Sequence, residues 1–165
     1  MSYAPDHARI ATPIGMITIC GTADNLSAIT IESGIGEGEV QSRAPAVMAA
    51  VAQLRAYFEG RLQHFDLPLL PLTTPRGEAL RASIAAIGYG ETMSYGALAA
   101  SIGSSPRAIG QACARNPYPI IIPCHRVLGA GGALGAYSAG AGPDTKQQLL
   151  IHENPNFAKG TLWAL

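Results

Sequence analysis

Charge is scarce in this 165-residue chain: 13% of its residues are Asp, Glu, Lys or Arg, and 11 basic side chains balance 11 acidic ones. With 48% hydrophobic residues, that scarcity excludes a disordered polyelectrolyte and implies a packed core. No apolar run is long enough to span a bilayer, so no membrane partner is expected. The opening residues Met1 to His7 lack the basic-then-apolar pattern of a secretory signal, and a cytoplasmic location is the expectation. Three cysteines, an odd number, make no disulfide framework, and a free reactive thiol needs a reducing compartment to persist. His7, His64 and His152 show no metal-ligand spacing with cysteine, so no metal is expected. There is no internal repeat and no low-complexity tract. The length allows one domain or two small ones.

Zero net charge also argues against nucleic acid as a partner. The distribution qualifies this. Residues 1–75 carry four basic side chains (Arg9, Arg43, Arg55, Arg61) against seven acidic ones, a net of −3. Residues 76–165 carry seven basic against four acidic, a net of +3. Residues 92–143 contain Arg107, Arg115 and Arg126 and no acid. A DNA-facing surface requires an asymmetry of this sort.

Local patterns give an outline of the fold. Thr12 to Ile31 reads as a β-hairpin, with Ile17 and Ile19 alternating about Thr18 and a turn at Ala23-Asp24-Asn25. Gly34, Gly36 and Gly38 with neighbouring acids read as a mobile loop. Val47, Val51, Leu54 and Phe58 recur at helical spacing up to Gly60. Residues 66–75, with three prolines, read as a linker. Thr74-Pro75 opens a helix with Leu80, Ile84 and Ile87 on one face, ending at Gly88-Tyr89-Gly90. Ser94 caps a second helix to about Ile102, and Pro106 starts a third through Arg115. Two short helices across a tight glycine-containing turn match a helix-turn-helix. Pro143-Asp144 opens a last helix.

The run from Asn116 to Val127 concentrates the chemistry. Ile120, Ile121 and Ile122 read as a buried extended segment, Pro123 stops it, and Cys124-His125-Arg126 follows. Nearby positive charge, or a base that takes the proton, turns a thiol into a nucleophile, so the triplet reads as a fixed, activated thiolate. A buried structural cysteine beside two surface residues remains the alternative. Glu153 shares a helical face with Leu149 and Leu150, a polar residue in an apolar context or a helix-end group turned to solvent. Tyr95 fits helix packing, and Asn116 before Pro117 fits a turn. The glycines at 129–135 fit a flexible loop or a close backbone approach to a flat base. Cys20 and Cys113 read as small core residues.

Pro123-Cys124-His125-Arg126-Val127 resembles the acceptor-cysteine motif of the O6-alkylguanine-DNA alkyltransferases. Ser94 to Ala99, Arg107-Ala108-Ile109-Gly110, Asn116-Pro117, Gly135-Ala136-Tyr137-Ser138 and Leu149 to Glu153 resemble further motifs of that family in the same order. The likeness covers residues 67–153 throughout and the first half more loosely. It implies an α/β (α+β) protein: an N-terminal ribonuclease-H-like sheet-and-helix domain (1–70) and a C-terminal domain (74–165) with a winged helix-turn-helix-like arrangement. It implies alkyl transfer from a flipped-out base of duplex DNA to Cys124, once per molecule, by a monomer without a cofactor. Guanine or thymine as the damaged base stays open. In the implied roles Glu153 orients His125, His125 takes the proton of Cys124, Tyr95 is the acid for the leaving base, and Asn116 links the recognition helix to the reactive loop. Pro119, Val127, Tyr137 and Ser138 would form the substrate pocket. Arg107, Ala108 and Gly110 would face DNA, with Arg107 entering the gap left by the extruded nucleotide, and the acid-free segment adds Arg115 and Arg126 to that face. The chain departs from the family in having Arg76 and Arg81 at usually apolar positions, a shorter turn before Pro106 and a longer loop after Ser138. Two rival readings are a non-catalytic sensor of alkylated bases and a cysteine hydrolase.

Overall fold

The computed structural model describes residues 5–32 and 38–157. Gly34 and Gly36 of the expected mobile loop lie outside them. The chain divides into two compact units between Pro71 and Leu72.

The first unit is a three-stranded antiparallel sheet with one helix. Strands β1 (Asp6–Thr12), β2 (Gly15–Gly21) and β3 (Leu26–Glu32) lie in the order β1-β2-β3, with Ile10 opposite Ile17 and Ile17 opposite Ile31. Helix α1 (Pro45–Phe58) packs on β1 and β2. Alternate strand residues Ala8, Ile10, Ile17, Ile19, Ile29 and Ile31 are buried, as are Val47, Ala50, Leu54 and Tyr57 of α1. The register shifts at Cys20/Gly21. A Cβ on Gly21 would stand 2.7 Å from the Asn25 carbonyl oxygen, so only glycine fits this bulge. The expected hairpin is present as β2–β3; β1, ahead of it, was not foreseen. The expected linker at 66–75 begins later. Gln53 and Asp66 exchange two hydrogen bonds of 2.9 Å, and Leu26 N–H donates to the Pro68 carbonyl at 2.8 Å.

The second unit is helical. Helix α2 (Pro75–Ala85) starts at Thr74, whose hydroxyl accepts from Gly77 N–H. Strand β4 (Met93–Ser94) leads into α3 (Tyr95–Ser101), capped by Ser94, and Ser105 caps α4 (Pro106–Ala114). Gly103 turns between α3 and α4 with φ +64°. A turn of 3-10 helix over Cys124–Arg126 runs into β5 (Val127–Leu128), which pairs parallel with β4. Helix α5 (Pro143–Glu153) packs on that 3-10 turn.

The expected extended segment at Ile120–Ile122 is not extended, and Ile120 and Ile122 are buried while Ile121 is half-buried. Ile120 has φ +76°, the one non-glycine positive φ among the described residues. Ile122 N–H donates to the Tyr118 carbonyl and Cys124 N–H to the Ile122 carbonyl, so the run is a chain of turns. A β-branched residue there is strained by about 1–3 kcal/mol, and burying Ile120 to 1% exposure offsets that cost.

Candidate active site

The two-residue ladder of β4 and β5 sets Met93 beside Val127 and Ser94 beside Leu128. It ties the segment that begins α3 at Tyr95 to the segment that carries Cys124. Both side chains line one cavity of about 150 Å³, with Gly110, Cys113 and Ala114 of α4 and Ala136, Tyr137 and Ser138 of the glycine-rich loop. Residues 110, 113 and 114 share a helical face, and their small size leaves room in front of the sulfur. Val127 and Pro119, expected as pocket walls, are buried and do not line it. The strand ladder holds Val127, and the turn series encloses Pro119.

Cys124 is 4% exposed. Asn116 Nδ2 lies 3.4 Å from its Sγ and donates to the Ile122 carbonyl at 3.0 Å. Asn116 Oδ1 accepts from Tyr118 N–H at 2.9 Å. One amide thus closes the turn and touches the sulfur, which a turn role alone would not require.

The residue after the cysteine is a fully buried histidine. His125 Nε2 stands 2.7 Å from Glu153 Oε2, and its Nδ1 has no hydrogen-bond partner among the described residues. Arg126 grips the same carboxylate: Nε donates to Oε1 at 2.8 Å, Nη2 to Oε2 at 3.0 Å, and Nη1 to the Ile87 carbonyl at 2.6 Å. This corrects the expectation that Arg126 faces DNA. It is 5% exposed because all three of its donor groups point inward. Glu153, with a side chain 1% exposed, does not turn to solvent.

Burial works against the charge on Glu153, but hydrogen bonds from His125 and Arg126, and the charge of Arg126, outweigh it and hold the carboxyl well below the usual carboxylate range. Burial lowers the His125 pKa, so the ring is neutral at rest. A neutral ring that donates Nε2–H to Glu153 presents the Nδ1 lone pair as its basic site. The thiol itself is not pre-ionised, contrary to the sequence expectation. Its hydrogen-bonded neighbour, the Cys113 thiol, and then burial push the Cys124 pKa up. The guanidinium expected to stabilise a thiolate faces Glu153 instead.

Burial raises the pKa of both Tyr95 and Tyr137, which keeps their hydroxyls protonated. The Tyr137 hydroxyl, in the cavity wall, is buried and has no hydrogen-bond partner among the described residues. Arg107 and Arg115 are exposed at the two ends of α4, and Ala108 and Gly110 are half-buried.

Two residues of the site were not anticipated. Cys113, read as a core residue, lines the cavity beside Cys124. Lys146 is fully buried, and its Nζ donates to the Val127 carbonyl at 2.7 Å and the Ala136 carbonyl at 3.3 Å. It ties the strand after the cysteine to the loop carrying Tyr137, and burial lowers its pKa. Lys146 precedes Leu149, Leu150 and Glu153 by three, four and seven residues, so the helical face that revealed Glu153 carried this signal too.

Both units match known protein families. Residues 7–71 match the ribonuclease-like domain of 6-O-methylguanine DNA methyltransferase, and residues 77–155 match its DNA-binding domain. The methylated-DNA–protein-cysteine methyltransferase of Methanosarcina acetivorans is 38% identical over 87% of this chain and 95% of its own. The constitutive enzyme of Bacillus subtilis is 36% identical over 88% of this chain and 93% of its own. The crystal structure of Mycobacterium tuberculosis O6-methylguanine methyltransferase superposes with a TM-score of 0.77 at 35% identity, covering 92% of this chain and 94% of that one. The M. tuberculosis OGT structure in complex with DNA gives 0.74 at 37% identity, covering 88% and 91%. With both halves matched in sequence order over nearly their whole length, the chain belongs to the 6-O-methylguanine DNA methyltransferase family.

Proposed function

We propose that this protein repairs alkylated DNA by direct reversal: it takes the alkyl group from O6 of a flipped-out guanine onto Cys124. The observation that carries the reading is the setting of Cys124. Its sulfur lines a cavity walled by two protonated tyrosines, and the next residue is a neutral histidine held by a buried carboxylate.

The chemistry balances without a co-reactant. His125 Nδ1 takes the thiol proton, directly or through water, and Glu153 stabilises the resulting imidazolium. The Cys124 sulfur attacks the alkyl carbon on the side opposite O6. The S–C bond forms as the C–O6 bond breaks, and the electron pair returns to the guanine. Tyr95, whose proton burial retains, donates to the departing base. Ser138 lines the cavity as a donor toward O6, and Tyr137 forms a wall of the base pocket. The products are restored guanine and a Cys124 thioether. The thioether has no proton to lose, so each molecule acts once.

Duplex DNA is the partner, because the alkylated atom is reached only when its base leaves the stack. Exposed Arg107 at the first turn of α4 is placed to fill the gap, and half-buried Ala108 and Gly110 permit close approach. No helix among the described residues is long and apolar enough to cross a membrane. A reducing cytoplasm would keep the acceptor thiol free, and a monomer suffices for this chemistry.

Incubation with a duplex carrying one O6-methylguanine should add a single methyl group, found on the peptide containing Cys124. Cys124→Ser should bind the duplex and gain none. A methyl on Cys20 or Cys113, binding without any mass change, or more than one turnover per molecule would overturn the reading. A parallel duplex with O4-methylthymine reports the base preference.

A further inference from the structure

The reactive cavity holds a second thiol that alkyl transfer does not use. Cys113 and Cys124 both line it, and they are the two cysteines of the second unit; Cys20 lies on β2 of the first. The Cys124 thiol donates a hydrogen bond to the Cys113 sulfur, so the two sulfurs are direct neighbours. Gly110 and Ala114, on the same face of α4 as Cys113, carry no bulk to hold them apart. Cys113 sits in the last turn of α4 and Cys124 opens the 3-10 turn. Closing their contact to the about 2.05 Å of an S–S bond therefore asks for movement at the ends of two elements, not in their interiors.

The two thiols are not equivalent. The hydrogen bond from Cys124 lowers the Cys113 pKa, whereas the same contact and burial raise that of Cys124. Cys113 is half-buried, while Cys124 is 4% exposed. Cys113 is therefore the sulfur that meets a small oxidant first. We propose that Cys113 and Cys124 are a reversible disulfide pair, closed by a peroxide, that masks the Cys124 sulfur. The Cys113 thiolate attacks one peroxide oxygen, the O–O bond breaks, hydroxide leaves, and a sulfenic acid remains. The Cys124 sulfur then attacks the Cys113 sulfur; the S–S bond forms as the S–O bond breaks, and a second hydroxide leaves. With the two thiol protons, the hydroxides become two waters: two thiols are oxidised and one peroxide is reduced. A dithiol reductant reverses the step. Without a partner, a sulfenic acid on Cys124 goes on to the sulfinic acid, which such a reductant does not restore. That the masked sulfur is the alkyl acceptor rests on the DNA-repair reading; formation of the disulfide does not.

The test treats the full, reduced chain with hydrogen peroxide in small excess, blocks the remaining thiols with iodoacetamide, and maps the peptides without reductant. The wild type should lose two hydrogens in mass, with the Cys113 and Cys124 peptides joined and Cys20 alone blocked. Transfer from free O6-benzylguanine should fall in step with that linkage and return to its untreated rate on adding dithiothreitol. Cys113→Ala and Cys113→Ser, each compared with its own untreated rate, should lose transfer under the same exposure and regain little of it. Their Cys124 peptide should gain two oxygens. Cys113 and Cys124 peptides that never join in the wild type overturn the proposal, and so does a linkage through Cys20 or between two molecules. Wild-type loss that dithiothreitol does not reverse overturns it, as does recovery of the Cys113 variants as complete as that of the wild type. If the variants do not fold, the wild-type peptide map decides alone. Absence of transfer by the untreated wild type, from the free base and from a methylated duplex, sinks the repair reading and leaves the peptide map to judge the disulfide.

Discussion

The two units bury different chemistry. Beneath the sheet of the first unit the buried side chains are apolar, and its ion pairs Arg55–Glu39 and Arg61–Glu59 are formed by side chains about half exposed or more. In the second unit five buried polar or charged residues, His125, Arg126, Thr145, Lys146 and Glu153, fall within 30 positions of sequence. Hydrophobic burial alone holds a fold and tolerates approximate packing. A buried charged network is stable only while every member keeps its partner. The second unit carries that liability where the reactive cysteine lies, which is expected of a site whose pKa values are arranged for a reaction.

Loss of Glu153 should have the largest effect, because it is the carboxylate that both His125 and Arg126 hold. Glu153→Ala leaves the Arg126 guanidinium and the His125 ring buried without their carboxylate. Denaturant unfolding followed by hydrogen exchange should show the second unit destabilised by about 3–5 kcal/mol, with protection of Ile17 and Ile19 in the first unit unchanged. Equal loss in both units would show that the contrast is not one of local networks.

Acid should separate the units next. His125 has a folded pKa below its ordinary 6.5, and Glu153 one below its ordinary 4.5. Both are depressed, so each contributes stability above its unfolded pKa that is lost as pH falls. The second unit should begin to weaken below about pH 6.5 and weaken further below about pH 4.5. Among the described residues of the first unit, the depressed carboxyls Asp6 and Glu39 sit at the surface, where solvent screens their contribution. Hydrogen exchange at neutral and mildly acidic pH should show the second unit opening first. A first unit that opens earlier contradicts the account.

The smallest effect belongs to the surface pairs. Arg61→Ala removes the contact with Glu59 between two side chains more than half exposed, and the melting temperature should not move measurably. A clear drop would mean that the surface of the first unit matters more than its apolar core suggests.

What the sequence revealed follows the range of the interactions concerned. The β2–β3 hairpin was readable from the Ile17-Thr18-Ile19 alternation, and α2 and α3 from Thr74 and Ser94, because strand period and helix caps act over a few residues. Strand β1 was missed because Ala8 is too small to mark its inward face beside Ile10. Ile120–Ile122 read as a strand because three β-branched residues favour extension. Asn116, several positions earlier, folds them into turns instead. Arg126 read as a DNA contact because the surrounding segment is free of acid. Its carboxylate lies 27 residues away, and no local pattern joins them. The resemblance paired His125 with Glu153, yet it gave no hint that Glu153 serves Arg126 as well. The thiol shift was unreadable for the same reason, since Cys113 reaches Cys124 only through the fold.

In the proposed mechanism the buried His125–Glu153 pair activates an acceptor thiol that is protonated at rest. The direct measurement is the pH dependence of transfer from free O6-benzylguanine by the wild-type protein and by Glu153→Gln, with folding of the variant verified at each pH. The wild type should react at neutral pH although burial and Cys113 push the Cys124 pKa up. Glu153→Gln should lose most of that neutral rate and regain it as pH rises, because hydroxide then does the work of the weakened base. Coincident pH profiles for the two proteins would contradict the account.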